Sequence, residues 1–487
     1  MSHRCAVTVL FLSLGIAAYG CSSQEIESAA TGATRAPGVS SAPAAPAPGV
    51  AESLAASVQS AGPTLSPQDL PTPVPLTADD WPQFRGARRD GIADARGLLR
   101  SWPAEGPEVL WQVAVGQGYA APVAVDGKVY FNDYDESAGQ WMVRCLSLET
   151  GDELWRYSVA KRIRPNHGIT RTMPATDGGF VVAIDPKCEI HCLDARNGAK
   201  IWSLALPQTF DAQIPPWYNG QCPLLENDRV IVATGGKALL VALDKATGKV
   251  LWQTPNEADA AMSHSSIMPA TIDGVKQYLY TTLDALVGVA DDDGRLLWRF
   301  PWKFNVAVPT SPVCLDDGRV LLTSCYQAPT GMCQVKREGE QWVATELYQL
   351  PPTGWNSEVH TPIVHRGYLF GVGKKRRGLW TCLNLDGSER WTSDRKASFG
   401  LGGYVLADGM FFVLDGNTGQ LRLIDAQADQ YVELASAKVL EGPDAWAPPV
   451  ISRGRLLVRD LKQLVCLNVA GPAAPAETAS QSAAATP

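Results

Sequence analysis

The feature that most constrains the fold of this chain is a short phrase that recurs along it. The phrase consists of an apolar run, an Asp, one or two further residues, a Gly and, a few positions later, a Trp. It reads LSLETGDELW, CLDARNGAKIW, VALDKATGKVLW, GVADDDGRLLW and CLNLDGSERW. The first four of these Trp residues are separated by 47, 50 and 46 positions. A period of this size indicates repeated supersecondary units.

Each unit reads as four strands. The phrase predicts a strand, a tight turn at the Gly and a second strand that carries a large aromatic residue. About half a period upstream, an X-Pro step leads into a turn and another apolar strand, as in APVAVDGKVYF and SPVCLDDGRVLLT. Four such strands joined by three turns form a propeller blade.

Counting the units predicts the architecture. Seven complete units begin near Pro122, Pro174, Pro223, Pro269, Pro312, Pro362 and Tyr404. An eighth begins at Pro449 and lacks its Trp strand, which PEVLWQVAV around Trp111 supplies from the other end of the chain. We therefore predict an all-β, eight-bladed propeller with four-stranded blades, in which the N-terminal strand joins the C-terminal blade and covers its edge. The repeated Trp residues are predicted to dock neighbouring blades: Trp111, Trp155, Trp202, Trp252, Trp298 and Trp391.

From about Trp81 to Val469 the repeats resemble a known family. The phrase ALDKATGKVLW is similar to the tryptophan-docking motif of the pyrroloquinoline-quinone-like propeller repeats. Such repeats occur in the BamB-type lipoproteins of outer-membrane assembly and in quinoprotein alcohol dehydrogenases, and the opening WPQFRGARRDGI resembles a group of exported bacterial propellers. The resemblance implies the fold, whereas function depends on sites built on that fold.

The first 80 residues differ from the rest in composition. Residues 1–20 read as a secretory signal peptide, with Arg4 before an apolar stretch that is too short to span a membrane. Cys21 follows Gly20 in a context that resembles a lipoprotein processing site, and Ser22 resembles a signal for sorting to the outer membrane. Ordinary cleavage after Gly20 is the alternative, and both routes export the protein.

Composition also separates a tether and a tail from the folded domain. Residues 21–79 are rich in Ala, Pro and Ser, as is the segment 471–487, and both are predicted to be disordered because they cannot bury a core. The propeller is expected at 80–470. The net charge of −8 disfavours a nucleic-acid surface. The basic run Lys374–Arg377 is interpreted as a solvated hairpin tip, with contact to an anionic membrane or glycan as the alternative.

The cysteines do not suggest a disulfide framework. Five of them occupy the third-strand position at which one repeat has Ala242: Cys145, Cys192, Cys333, Cys382 and Cys466. They are predicted to be small buried apolar residues. In CEIHC, Cys188 and Cys192 would lie about 13 Å apart on a strand, so we predict no metal site there. Cys325 and Cys333 flank a turn and are left open as a disulfide pair.

The candidate site lies where loops lead into the innermost strands, because propeller ligands commonly approach the axis at that face. The polar and aromatic residues of these loops are Tyr119, His167, Arg171, Trp217, Tyr218, His264, Ser265, Glu358, His360 and Trp446. One Arg and three His could bind an anionic group or serve as acid and base, and the aromatic rings could stack on a ligand. The alternative is that these residues cap the inner strands with satisfied hydrogen bonds.

Several catalytic signatures are absent from the sequence. The resemblance to quinoprotein dehydrogenases implies adjacent cysteines over the quinone, and the sequence has no Cys-Cys pair, no Cys-x-x-Cys-His and no recognisable calcium ligands of that family. Enzymatic activity is therefore disfavoured, and no cofactor is expected.

The sequence favours a monomeric scaffold at the periplasmic face of the outer membrane. It would be held there by a lipid on Cys21 and would bind an envelope protein or peptide segment. A pyrroloquinoline-quinone- and calcium-dependent oxidoreductase is the first alternative. A propeller that binds carbohydrate or a small anion is the second.

Overall fold

The structure, a computed structural model, contains 33 strands in eight sheets among the residues that it describes. These residues are 69–164, 167–326, 328–351, 353–373, 378–393 and 397–472. The sheets form the predicted all-β, eight-bladed propeller. The predicted signal peptide, Cys21 and the basic run Lys374–Arg377 lie outside the described residues.

The first four blades follow one another along the chain. Blade one contains β3 (Val123–Val125), β4 (Lys128–Asp135), β5 (Gln140–Ser147) and β6 (Glu153–Ala160). Blade two contains β7 (Ala175–Thr176), β8 (Phe180–Ile184), β9 (Glu189–Asp194) and β10 (Lys200–Ala205), followed by the short helix α1 (Leu206–Phe210). Blade three contains β11 (Leu224–Glu226), β12 (Arg229–Ala233), β13 (Ala238–Asp244) and β14 (Val250–Pro255). Blade four contains β15 (Met268–Ile272), β16 (Val275–Thr281), β17 (Ala285–Ala290) and β18 (Leu296–Pro301).

The last four blades take in two strands from the beginning of the chain. Blade five contains β19 (Val313–Cys314), β20 (Arg319–Leu322), β21 (Gly331–Glu338) and β22 (Gln341–Gln349), and blade six contains β23 (Ile363–His365), β24 (Tyr368–Gly373), β25 (Leu379–Asn384) and β26 (Glu389–Thr392). Blade seven contains β27 (Tyr404–Ala407), β28 (Met410–Leu414), β29 (Gln420–Asp425) and β30 (Glu433–Lys438), with β1 (Ile92–Ala93) beside β27. Blade eight contains β31 (Val450–Ser452), β32 (Arg455–Arg459), β33 (Gln463–Asn468) and β2 (Val109–Ala114).

The first strand of each blade faces the central axis. Strand β3 contacts β7 and β31, and β27 contacts β31, so first strands of neighbouring blades meet around the ring. Second strands such as β8 and β28 are buried along their whole length because each blade is covered on both faces by its neighbours. We call the face at which first strands begin the upper face and the face at which they end the lower face.

Ring closure occurs as predicted. Strand β2 pairs antiparallel with β33, with Trp111 opposite Cys466 and Ala114 opposite Gln463. A strand from one end of the chain thus completes a sheet from the other end. Without β2, blade eight would have three strands, and the exposed edge of β33 could pair with another chain and promote aggregation.

Four of the repeated Trp residues dock on a Gly turn of the next blade. Trp202 in blade two shows the geometry: its Nε1 donates to Lys245 O at 2.8 Å, and its ring lies against Gly248 of blade three. Gly248 has φ +72°, and a Cβ there would lie 2.7 Å from the Trp202 ring. Both the left-handed backbone and the close approach require Gly. The other three pairs are Trp111 with Gly151, Trp155 with Gly198, and Trp252 with Gly294.

Trp298 departs from this pattern because blade five lacks the recurring phrase. Its Nε1 donates to Gln277 Oε1 at 2.7 Å within its own blade. In blade five, Glu346 stands opposite Cys333 where most other blades have Trp, and Tyr348 instead packs against Gly387 of blade six. The sixth predicted docking residue, Trp391, is half-buried and contacts Tyr431 edge-on at 6.0 Å.

The third-strand cysteines have a structural explanation in the same geometry. Cys145, Cys192, Cys382 and Cys466 each stand directly opposite one of the repeated Trp residues, as Ala242 does. A large indole on one strand requires a small side chain on its partner. Cys325 and Cys333 are not joined by a disulfide.

The first described residues pack against the propeller. Residues 69–79, here called the strap, lie on the lower face of blade two, where Val74 N donates to Asp177 O at 2.9 Å and Leu70 contacts the core. The composition of the sequence assigns this segment to the disordered tether ending at residue 79. Packed structure begins earlier because Leu70 and Pro71 bury apolar surface that the overall composition of the tether conceals.

Residues 80–93, here called the plug, occupy the central channel. Trp81 forms an antiparallel bridge with Ala124 of β3, whereas β1 pairs in parallel with β27. First strands run from the upper to the lower face, so the plug rises beside blade one and descends beside blade seven. It therefore enters and leaves the channel at the lower face.

Two arginines fasten the plug to the inner strands. The Arg85 guanidinium donates to Pro362 O of blade six at 2.9 Å, and the Arg89 guanidinium donates to Pro223 O of blade three at 3.1 Å. Burial lowers the pKa of both guanidinium groups to about 10, so they remain charged at neutral pH. The opening motif WPQFRGARRDGI, whose position in the fold the sequence does not predict, thus supplies the plug.

No helix in the described parts of the chain has the length and apolar character needed to cross a bilayer.

Candidate functional site

The candidate site is the upper mouth of the propeller, formed by loops above the plug. Phe84 and Arg85 of the plug form part of its floor, together with His360 and Tyr404. The enclosed space at this level is about 30 Å³, which is room for one or two water molecules. A ligand that approaches from the upper face therefore meets the loops before it reaches the plug.

One aromatic pair lies on the side of blades one and eight. Tyr119, in the loop before β3, stacks on Trp446, in the loop before β31, with ring centroids 4.6 Å apart and planes at 20°. The Arg171 guanidinium is 5.8 Å from the Tyr119 ring and donates to Gly168 O at 2.6 Å. Burial lowers the pKa of Arg171, and the phenol groups of nearby tyrosines oppose that shift.

A second aromatic pair spans blades three and five. Trp217 stacks on Tyr326 with centroids 5.8 Å apart and planes within 8°. The backbones of Trp217, Tyr218 and Tyr326 all have φ between 53° and 71°, an uncommon conformation for aromatic residues that persists only where surrounding structure enforces it. Tyr218 is held by its hydroxyl, which donates to Arg164 O at 2.9 Å.

Tyr326, which belongs to the loop between β20 and β21, is absent from the residues predicted from sequence. The sequence does contain a signal for Tyr326, because loops that join second and third strands lie on the same upper face as the loops before first strands. In the sequence, the turn YQAPTG is distinguished only by the two cysteines that flank it. Two apolar side chains beside these loops, Ile214 and Val306, are 41% and 42% exposed and are also missed by sequence reasoning.

Two of the three predicted histidines are fixed by carbonyl groups. His264 Nε2 lies 2.6 Å from Pro216 O and His360 Nε2 lies 3.0 Å from Leu401 O, so each Nε2 must carry a proton to donate. Burial lowers the pKa of both rings, to about 4 for His360, where the Arg85 charge adds to the effect. Both are neutral at pH 7 and act as caps between loops.

The remaining predicted residues divide between interior and rim. Ser265 is fully buried, and its backbone N–H donates to the Ser263 hydroxyl oxygen at 3.2 Å. His167 is exposed, and Glu358 is half-buried. Burial raises the pKa of Asp444, and the imidazole of His167 opposes that shift. The mouth thus presents two aromatic pairs and scattered charges, and no nucleophile hydrogen-bonded to a base is found among its described residues.

The described carboxylates of the mouth do not belong to a converging group of His, Cys, Asp or Glu side chains. Within the described residues, one group of at least three His, Cys, Asp or Glu side chains converges to within 4.8 Å, and it consists of Asp185, Glu189 and His191 between blades one and two. Glu358 and Asp444 are not part of it.

Comparison with known proteins identifies the family of the chain. The family described as "Outer membrane protein assembly factor BamB" matches residues 139–393, more than half of the chain. The BamB of Yersinia pestis is 25% identical over 333 residues, which cover 63% of this chain and 76% of the relative. Two further relatives of the same name are covered over only 54% and 56% of their length.

Solved structures show the same fold at low sequence identity. BamB from Moraxella catarrhalis aligns with a TM-score of 0.51 and 15% identity, over 74% of this chain and 97% of that one. A europium-containing methanol dehydrogenase aligns with a TM-score of 0.54 and 12% identity, over 80% and 90%. These likenesses concern the fold alone, whereas the match over residues 139–393 shows that this chain belongs to the family of the outer membrane protein assembly factor BamB.

Proposed function

We propose that the protein is a cell-envelope scaffold that acts in outer-membrane protein assembly and binds an envelope protein or peptide segment at its upper mouth. The relatives in its family carry this role in their names. The observation that carries the proposal here is the pair Trp217 and Tyr326, held at the rim of a channel that the plug closes from below.

The chemistry of the rim supports protein binding. Tyr326 is 43% exposed, with Ile214 and Val306 exposed to a similar extent nearby. Trp and Tyr are the residues that most often dominate binding energy at protein interfaces, because they bury a large rigid area with few rotatable bonds. The stacking of Trp217 on Tyr326 holds these rings in place before a partner arrives, which lowers the entropic cost of association.

Site-specific crosslinking tests this proposal. A photoreactive amino acid is placed at Tyr326 on the upper face and, as a matched control, at Asp228, whose side chain is 93% exposed on the lower face. Envelope preparations of the native host are irradiated, and adducts are identified by mass spectrometry. We expect envelope-protein adducts from position 326 that diminish when Trp217→Ala is added. Equal adducts from both positions, or none from position 326, would refute the proposed surface.

We further propose that the protein is exported and held at the outer membrane by a lipid on Cys21, which lies outside the described residues. The support is the sequence around Cys21 and the outer-membrane role that the relatives' names state. Acyl labelling in cells should mark the wild type and should fail for Cys21→Ala. An unlabelled wild type would contradict the anchor. The protein is proposed to be a monomer, which light scattering of the mature chain tests.

We propose that catalysis by a bound quinone is not the function. The support is the absence of adjacent cysteines and of Cys-x-x-Cys-His from the sequence. Purified protein is titrated with pyrroloquinoline quinone and Ca²⁺ while absorbance and thermal stability are followed. We expect no saturable change, whereas saturable binding with dye-linked alcohol oxidation would overturn this view.

A further inference from the structure

A cluster of charged side chains lies between blades one and two. Asp185 directly follows the second strand of blade two, and Glu189 and His191 lie on β9. One ligand atom from each of these side chains lies within 4.8 Å of the other two. Asp185 and His191 are almost fully buried, and the Glu189 side chain is 21% exposed.

Strand alternation explains why these residues meet. Side chains two positions apart on a strand share a face, so Glu189 and His191 both point toward blade one, where the His191 ring lies 4.7 Å from the Trp141 ring. Cys192 points the other way, toward Lys245 O of blade three. The two cysteines of CEIHC therefore do not converge, as their spacing on a strand predicts, but the histidine between them joins a different set of ligands.

The cluster contains an imidazole nitrogen with no hydrogen-bond partner. His191 is 1% exposed, and its Nδ1 lies 3.3 Å from the Tyr157 hydroxyl. Its Nε2 is buried without a hydrogen bond and points toward Asp185 Oδ2 at 3.6 Å. Buried polar atoms are rarely left in this state. A metal-binding imidazole typically has this arrangement, with the other ring nitrogen held by a neighbouring group.

A cationic side chain already lies between the two carboxylates. Lys161 Nζ is 2.9 Å from Asp185 Oδ2 and 2.5 Å from Glu189 Oε2. Lys161 follows the last strand of blade one, and its side chain is 17% exposed, so a flexible four-carbon stem can withdraw the ammonium to solvent. Two carboxylates carry the charge that a divalent ion balances, whereas one ammonium balances only half of it.

We propose that Asp185, Glu189 and His191 form a binding site for one divalent transition-metal ion, with Zn²⁺ the best match, and that the ion displaces the ammonium of Lys161. One imidazole and two carboxylates are a donor set that Zn²⁺ accepts, with a fourth position left for water. The site stabilises the upper part of blade two and is independent of the scaffold function proposed above.

The test uses the tag-free mature chain, isothermal titration with Zn²⁺ and the visible spectrum with Co²⁺. The wild type should bind one ion with a gain in thermal stability. His191→Gln and Glu189→Gln should each weaken binding by at least about tenfold, and Lys161→Met should strengthen it because the competing ammonium is removed. His365→Gln, at a half-buried histidine on β23, is the matched control and should bind like the wild type.

The spectrum distinguishes this site from adventitious binding to cysteine. Co²⁺ held by oxygen and imidazole gives weak bands in the visible, whereas thiolate ligands add an intense near-ultraviolet band. An intense thiolate band, unchanged affinity in both His191→Gln and Glu189→Gln, or no saturable binding by the wild type would each overturn the proposal. Binding by Lys161→Met alone would also overturn it, because the ammonium would then be the permanent occupant in the natural chain.

Discussion

Replacing one docking glycine measures how strongly neighbouring blades are coupled. Gly248 has φ +72°, and a Cβ there would lie 2.7 Å from the Trp202 ring. Gly274, in the first turn of blade four, has nearly the same backbone, with φ +75°, but a Cβ there would have no atom within 4 Å. Ala at either position incurs the left-handed backbone strain, and only Gly248→Ala also displaces an indole from its contact.

The expected magnitudes follow from this difference. Gly274→Ala should lower the free energy of unfolding by roughly 1–2 kcal/mol, the cost of a left-handed L-residue. Gly248→Ala should cost a further 1–3 kcal/mol, roughly the penalty for overpacking a close-packed site. Trp202→Ala alone should cost about 3–5 kcal/mol, because a 1% exposed indole and its hydrogen bond to Lys245 O are lost.

The double variant separates the two contributions. In a Trp202→Ala background the space beside Gly248 is vacant, so Gly248→Ala should cost no more than Gly274→Ala does in the wild type. The coupling energy should therefore be about 1–3 kcal/mol. Urea unfolding followed by far-ultraviolet circular dichroism measures each free energy, since the removed Trp does not report on that signal. Equal costs for Gly248→Ala and Gly274→Ala, or additivity within about 0.5 kcal/mol, would refute Trp–Gly docking as the inter-blade coupling.

Three further predictions concern the plug, the mouth and the thiols. Arg89→Ala should lower the melting temperature by several degrees because it leaves Pro223 O and Gln83 Oε1 without their donor. Arg88→Ala, at an exposed neighbouring residue, should leave the melting temperature unchanged. Equal shifts for the two variants would argue against the plug. The pKa of His360 is about 4 in the folded protein and about 6.5 in an unfolded chain, so the free energy of unfolding should fall as pH drops from 6.5 to 4. His360→Gln should reduce that fall. Parallel pH profiles for the wild type and the variant would contradict this prediction. Burial raises the pKa of the Cys333 and Cys382 thiols to about 12, so a thiol reagent at pH 8 should label them only after unfolding. Rapid labelling of these thiols in the native protein would contradict their burial.

The blades could be predicted because their determinants are local and periodic. The Gly turn and the strand after it repeat every 46–50 residues, so the count reached eight and revealed the missing strand at Trp111. Trp298 shows the limit of this reasoning. Its own phrase is intact, but its docking partner belongs to blade five, where the phrase is lost, so the indole bonds within its own blade.

The candidate residues could be assigned to a face of the propeller, but their roles could not be predicted. The sequence places Trp217, Tyr119 and Trp446 in loops of the upper face, and the structure brings Tyr119 and Trp446 into contact. The sequence could not show that His264 and His360 bind backbone carbonyls of other loops, because a carbonyl partner has no sequence signature. Tyr326 was missed for a similar reason, since only its stacking on Trp217 distinguishes it.

The sequence by itself determined the repeat, the blade count and the strand that closes the ring, since hydrophobic alternation and turn glycines act over a few residues. Only the tertiary structure decided what fills the channel and which side chains meet across blades. The plug illustrates the reason: Arg85 and Arg89 are ordinary polar residues in the printed sequence, and their burial arises from carbonyl groups of blades six and three, far away in the chain. The plug is not part of the repeat, so the periodicity of the sequence does not predict these contacts.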